Sequence, residues 1–184
     1  RRVAVKVLRA GTGSSDIQAA RFQREAELVS RIGHPNIVEV YDFGRTSDGN
    51  LYFVMELLHG ESLRSRLRSR TLTDREIAEI FAPLLSAITA AHNQGIVHRD
   101  LKPDNVMLGV GDEGFLKLLD FGVAKILEGA QLASTQSVGT LQYMSPEQID
   151  ATGVDARSDL YALGLIFYEL IAGAPPFQSP SPRE

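Results

Sequence analysis

The sequence predicts an α+β protein in two lobes, a small one rich in strand and a larger helical one. VAVKVL at residues 3–8 alternates with the period of a strand, placing Val3, Val5 and Val7 on one face and Ala4, Lys6 and Leu8 on the other. Further along, Ile77, Ile80, Phe81, Leu84, Leu85, Ile88 and Ala91 recur at helical spacing. The change from one pattern to the other falls near His59–Gly60 and divides the chain into residues 1–58 and 59–184. A cleft between two lobes is a common place for a ligand.

The first strand has no preceding turn or partner, so residues before Arg1 are expected to be missing. After the turn GTGSSD, a helix is expected from about Ile17 to Arg31, with Phe22, Ala26, Val29 and Ile32 as its apolar stripe. Glu25 falls on that stripe, where a carboxylate is costly without a partner. IVEVYDFG and LYFVMELL, joined by RTSDGN, read as an antiparallel hairpin. From Leu72 the chain reads as helix, and Pro83 should kink it or force a boundary. Two short strands, VML and FLKLLDF, follow around GVGDEG, whose glycines, like Gly109, read as turn residues. The final helix covers roughly Ser158 to Ala172 and reads as buried inside the protein.

Composition narrows the partners. Of 184 residues, 43% are apolar and 23% charged, as in soluble globular proteins, and the net charge of −4 gives no electrostatic case for nucleic acid. There are no cysteines, hence no disulfide or thiolate metal site. The four histidines show no metal-ligand spacing. LYALGLIFYELIAG is interrupted by Glu169 and too short to span a bilayer, so no membrane segment is expected in this chain.

HRDLKPDN, residues 98–105, threads six polar groups between the apolar pairs Ile96–Val97 and Val106–Met107. Phosphoryl transfer from a nucleotide needs such a set: a positioned base for the acceptor hydroxyl, cations near the phosphates, and oxygen ligands for metal ions. Asp100 offers the base, Lys102 a cation, and Asn105 a neutral oxygen ligand for Mg²⁺. Asp120, in DFG at the end of a strand, offers a second metal-binding carboxylate. Lys6 and Glu25, one on the cleft face of a strand and one on a helix stripe, each explain why the other is tolerated.

Together HRDLKPDN, DFG, VAVK, the helix glutamate in FQREAE and GTLQYMSPE, in that family's order and spacing, resemble a eukaryotic-type protein kinase. REAELVSRIGHPNIVEVYDFG and GTLQYMSPEQI are most similar to bacterial Ser/Thr kinases. The resemblance covers essentially the whole chain. It implies a bilobal protein-kinase-like fold, truncated at both ends, with a partial N-lobe (third strand, helix αC and hinge) at 1–58. A partial C-lobe with catalytic loop, DFG, activation segment and buried helix follows at 59–184. The implied activity is transfer of the ATP γ-phosphate, with Mg²⁺, to Ser/Thr hydroxyls of proteins.

By the same resemblance Lys6 contacts the α- and β-phosphates and Glu25 is its ion-pair partner. Asp100 is the catalytic base, with Lys102 contacting phosphate and Asn105 and Asp120 holding Mg²⁺. Ala4 and Met107 sandwich adenine, Met55 is the gatekeeper, and the backbone from Glu56 to Leu58 reads the base edge. Thr140 and Lys102 match the Ser/Thr pattern. Arg99 implies control by phosphorylation of the activation segment, with Ser134 and Thr135 as candidate autophosphorylation sites. His98 is expected to be structural. Asp159 opens a nearly apolar helix and is either a plain N-cap or an anchor beneath the catalytic loop. Phe121 and Val29 read as core, while Glu61 and Ser62 are either near the ribose or solvated loop residues.

The Gly-rich loop expected before Lys6 and the helices expected after Pro176 are absent. Glu147 is then expected to be a buried carboxylate without its arginine partner, and the chain by itself to bind nucleotide weakly and catalyse poorly. A cytoplasmic setting is expected, although many bacterial relatives continue into a membrane helix. Two alternatives stay open: a pseudokinase or nucleotide-binding scaffold, and a small-molecule phosphotransferase. GTLQYMSPE, built for a peptide, argues against the second.

Overall fold

The computed structural model describes residues 1–8, 16–109, 115–121 and 141–177, without the side chains of residues 16–19, 21, 22 and 25. Two three-stranded antiparallel sheets organise it. In the first, β3 (Leu51–Glu56) lies between β1 (Val3–Leu8) and β2 (Val40–Arg45). The alternation read in β1 is present: Val3, Val5 and Val7 are exposed, whereas Ala4, Lys6 and Leu8 are partly covered. The β2–β3 turn closes with Thr46 accepting from and donating to Asn50, and Gly49 takes the positive φ of 86° that the turn requires. Helix α1 (Asp16–Ser30) buries Ala26 and Val29, and Ile32 just beyond it is also buried.

The strand expected from Ile37 starts at Val40 instead. Asn36 and Val38 are captured by Leu118, through Leu118 N–H to the Asn36 carbonyl at 2.8 Å and Val38 N–H to the Leu118 carbonyl at 3.0 Å. That bridge ties the first sheet to the second, in which β5 (Val106–Gly109) lies between β4 (Gly60–Ser62) and β6 (Leu116–Leu118). A Cβ on Gly60 would sit 2.0 Å from the Leu108 carbonyl oxygen, so only glycine allows this approach.

Two features differ from the sequence expectation around residues 61–93. Helix α2 (Leu63–Ser69) precedes the helix expected from Leu72, and Ser62 caps it by accepting from Ser65 N–H at 3.1 Å. Its arginine-rich sequence carries only two leucines, of which Leu63 is fully buried. Helix α3 (Asp74–Asn93) then runs unbroken through Pro83. Proline at 83 deprives only the Glu79 carbonyl of its helical donor, and Glu79 is exposed, where water can take its place. The α3 stripe buries Ile77, Ile80, Leu84, Ala87, Ile88 and Ala91, but Leu85 is exposed.

Beyond Leu141 the chain forms α4 (Pro146–Ile149) and α5 (Ala156–Ala172), the latter ending at Gly173 with φ 74°. α5 packs on α3, with the Phe81 and Phe167 rings 4.7 Å apart, and buries Ala162, Leu163, Ile166 and Leu170 in the core. Asp159 and Glu169 of the same helix are also buried, whereas Leu160, Tyr168 and Ile171 are exposed. Among the described residues, no helix is long and apolar enough to cross a membrane.

The start of α3 makes a direct test of these helix signals. Thr73 Oγ1 accepts from Glu76 N–H, and the Glu76 carboxylate accepts from Thr73 N–H at 2.9 Å, a capping box. Thr73→Ala is expected to cost about 1 kcal/mol in chemical denaturation; a loss within error of zero would contradict the cap. Arg70 and then Thr73 hold the Glu76 carboxyl down to about 2 from its ordinary 4.5. A depressed carboxylate stabilises the fold fully above its unfolded value, and that contribution fades as pH falls from about 4.5 toward 2. Wild-type protein should therefore lose more stability over this window than the Thr73→Ala variant.

Candidate active site

The loop from His98 to Asn105 has no regular backbone pairing before its final turn, so side chains hold it. Asp159, 1% exposed, accepts His98 N–H at 2.8 Å on one oxygen and Arg99 N–H at 2.9 Å on the other. His92 Nε2 donates to the same carboxylate at 2.7 Å. The N-cap of α5 is Asp155, which accepts from Arg157 N–H; Asp159 lies inside the first turn, so the N-cap reading of Asp159 is corrected. These bonds hold Arg99 at φ 65°, a conformation costly for a residue with a Cβ. Gln148 adds a third tie by donating to the Arg99 carbonyl at 2.7 Å.

His98 is completely buried and packs its ring on Phe121, with centroids 4.6 Å apart. Its Nδ1 accepts from Asp100 N–H at 3.2 Å, so Nε2 carries the proton and donates to the Leu119 carbonyl at 2.8 Å. Burial pushes its pKa down, against the pull of the Asp159 carboxylate, and the ring stays neutral. One imidazole therefore fastens Asp100 to the residue before Asp120.

Pro103 starts a short 3₁₀ turn, Pro103–Asn105, which brings Asn105 back to Asp100. The Asn105 amide donates to the Asp100 carbonyl at 2.7 Å and to its carboxylate at 3.0 Å. Lys102 Nζ lies 3.1 Å from the same Asp100 oxygen. The amide nitrogen of Asn105 being committed, its oxygen is the atom left to accept or ligate. Asp120 adopts φ 48° and forms an ion pair with Lys6 of β1 at 2.7 Å, both half-exposed.

In the first sheet Ala4 stands opposite Met55 in the β1–β3 register, and in the second Met107 lies on β5 opposite Ser62. The Glu56 side chain is taken by Lys117 at 2.6 Å and by Glu39 N–H at 2.8 Å, so any ligand contact there falls to the backbone through Leu58. Glu61 pairs with Arg66 at 2.5 Å and Ser62 is a cap, both on β4 and not on a solvated loop. Glu147 is also corrected: it is only partly buried and accepts from Ser158 Oγ at 2.6 Å, which holds its carboxyl below the usual range. The Glu25 side chain, Ser134, Thr135 and Thr140 lie outside the described residues, as do Gly111 and Gly114.

Sequence reasoning missed His92, Gln148 and a cluster of Arg64, Tyr143 and Glu169. Glu169 gave the one signal, a carboxylate in an apolar helix; it is 2% exposed and its partner is Arg64 at 2.5 Å. No group of three or more His, Cys, Asp or Glu able to hold a metal ion occurs among the described residues. Mg²⁺ commonly takes only one or two protein oxygens and completes its shell with water and phosphate. The Asp120 carboxylate and the Asn105 oxygen, both hard donors, fit that habit.

The family model for the protein kinase domain matches residues 1–184. The chain is 44% identical over 187 residues to the serine/threonine-protein kinase pkn3 of Myxococcus xanthus, covering 97% of the chain and 34% of that protein. It is 41% identical to the probable serine/threonine-protein kinase PknB of Bifidobacterium longum, over 98% of the chain and 28% of that protein. The serine/threonine-protein kinase PknB of Mycobacterium tuberculosis is also 41% identical, over 99% and 30%. The chain thus spans about a third or less of the length of these curated relatives.

Asp159→Ala would leave the N–H groups of His98 and Arg99 buried without their acceptor. It is expected to lower stability by about 3 kcal/mol, read as a shift in urea midpoint at unchanged slope. A loss below that of an average surface substitution would show that the loop is held otherwise.

Proposed function

The chain belongs to the protein kinase family, and from that premise we propose that it carries the catalytic centre of a protein serine/threonine kinase. The reading rests on one arrangement: His98 joins the backbone of Asp100 to Leu119, so the Asp100–Lys102–Asn105 group and the Asp120–Lys6 pair share one frame. The relatives' names supply the substrate class by analogy, Ser and Thr hydroxyls of proteins.

In this reading Asp100 orients the acceptor hydroxyl and takes its proton as the oxygen bonds to the γ-phosphorus of ATP and the bond to ADP breaks. Lys102, already beside that carboxylate, offsets charge on the transferring group. Asn105 restrains Asp100 through its amide nitrogen and would hold Mg²⁺ through its oxygen, with Asp120. Mg²⁺ supplies charge neutralisation of the phosphates. Lys6, which here pairs with Asp120, contacts the α- and β-phosphates in this reading, with Glu25 as its ion-pair partner. Ala4, Met55, Met107 and the Glu56–Leu58 backbone form the proposed adenine site. Autophosphorylation at Ser134 or Thr135, with Arg99 receiving the phosphate, and a cytoplasmic setting belong to the same proposal.

The test is phosphate transfer from Mg-ATP, by the product of the complete gene, to itself and to a generic basic protein. Asp100→Asn should lower the rate about a hundredfold or more while the protein remains folded. Equal transfer by the variant would remove Asp100 from the chemistry. ATP binding without transfer in the wild type would mark a scaffold instead.

A further inference from the structure

We propose that Arg64 is a positioning residue for this phosphoryl transfer, clamping the catalytic loop and the segment after the activation region onto α5. The inference rests on the kinase reading above and adds a residue to it.

Arg64 is the second residue of α2, which packs on the 3₁₀ turn of the catalytic loop. Its guanidinium donates through Nη1 to Glu169 at 2.5 Å, through Nη2 to the Tyr143 hydroxyl at 2.5 Å, and through Nε to Asp104 at 3.3 Å. Tyr143 in turn donates to the other oxygen of Glu169, which closes the triangle. Burial, then that bond to Glu169, push the Tyr143 phenol up, so it stays a donor. A planar fork with donors in fixed directions can serve three partners at once, which a lysine ammonium on a flexible stem cannot do with the same geometry.

What lifts the cluster above ordinary packing is where its partners lie. Asp104 immediately precedes Asn105, whose amide restrains the Asp100 carboxylate. Tyr143 lies five residues before Gln148, whose side chain holds the Arg99 carbonyl. Arg64 therefore reaches Asp100 from both sides, through Asn105 and through Gln148. The arm to Asp104 is the weaker one, long and with its carboxylate side chain 51% exposed, while the arm to Glu169 is enclosed. The buried arm fixes the guanidinium, and the exposed arm passes its position on to the loop.

The experiment compares wild type, Arg64→Lys and Asp104→Asn in the product of the complete gene. It reads kcat, KM for Mg-ATP, melting temperature, and amide exchange of the segments 98–108, 141–149 and 74–93. Arg64→Lys keeps a charge for Glu169, and Asp104→Asn changes only the exposed arm, so at least the latter should fold normally. Both are expected to lower kcat, Arg64→Lys by about tenfold, with KM for ATP unchanged. Exchange should rise in 98–108 for both, and in 141–149 for Arg64→Lys, while α3 (74–93) stays as protected as in wild type. Unchanged kcat and unchanged exchange in the folded variants would overturn the clamp. So would exchange that rises equally in all three segments, since that is plain loss of stability. Should the wild type transfer no phosphate, the kinase reading fails, and the exchange pattern by itself still decides whether Arg64 holds the loop.

Discussion

The carboxylate of Asp159, closed off from water in the first turn of α5, takes the His98 N–H and the His92 imidazole on one oxygen and the Arg99 N–H on the other. Charge-assisted bonds of this kind are strong where water cannot compete. They offset the left-handed backbone that Arg99 must adopt, and that turn in the chain sets the direction in which Asp100 leaves the loop. Without the carboxylate, two buried amide hydrogens would lose their acceptor and the strained turn its restraint. The remaining polar contacts of the site follow from this one. His98, fixed by its own N–H, can stand between Asp100 and Leu119, and Asn105 can fold back onto a carboxylate that stays in place.

The two sheets are coupled by a second set of contacts. Leu118 exchanges backbone hydrogen bonds with Asn36 and Val38, and Asn36 donates its side-chain amide to the Leu116 carbonyl at 3.0 Å. Lys117 reaches Glu56 at the end of β3, and His34 meets Ser86 of α3 at 3.1 Å. The ties to Leu116, Lys117 and Leu118 fix β6, two residues before Asp120. Lys6 of β1 also pairs with Asp120, just beyond β6, at 2.7 Å, both half-exposed. A partly exposed ion pair of this kind contributes little net stability and is readily exchanged for other partners.

Much of this was legible in the sequence, and the pattern of what was missed has a physical reason. Strands β1 and β3 and helix α3 declared themselves because periodicity of 2 or 3.6 is a local property that burial on one face imposes. The loop HRDLKPDN was legible because no packing need explains six polar groups between apolar segments. Helix α2 was missed because its arginines hide a stripe of only Leu63 and Leu67, and the partners of Arg64, Asp104 and Glu169, lie far along the chain. The role of Asp159 stayed open because a carboxylate in a first helical turn satisfies the local capping rule whether or not a loop lies beneath it. Likewise Glu147 looked partnerless because its donor, Ser158, is eleven residues away on another helix. Glu169 was noticed as an interruption, but no spacing rule connects it to Arg64, 105 residues earlier. Pairings of this kind depend on topology, which the local pattern does not contain.

One buried carboxylate, that of Asp159, holds the backbone of a loop that has no regular pairing of its own. Amide hydrogen exchange at His98 and Arg99, resolved residue by residue by NMR, reports how firmly it holds them. Protection at these two amides is expected to match that of the buried face of α5, at Leu163 and Ile166. Exchange at the rate of exposed loop amides such as Ser47 and Asp48 would contradict it, and with it the basis for placing Asp100.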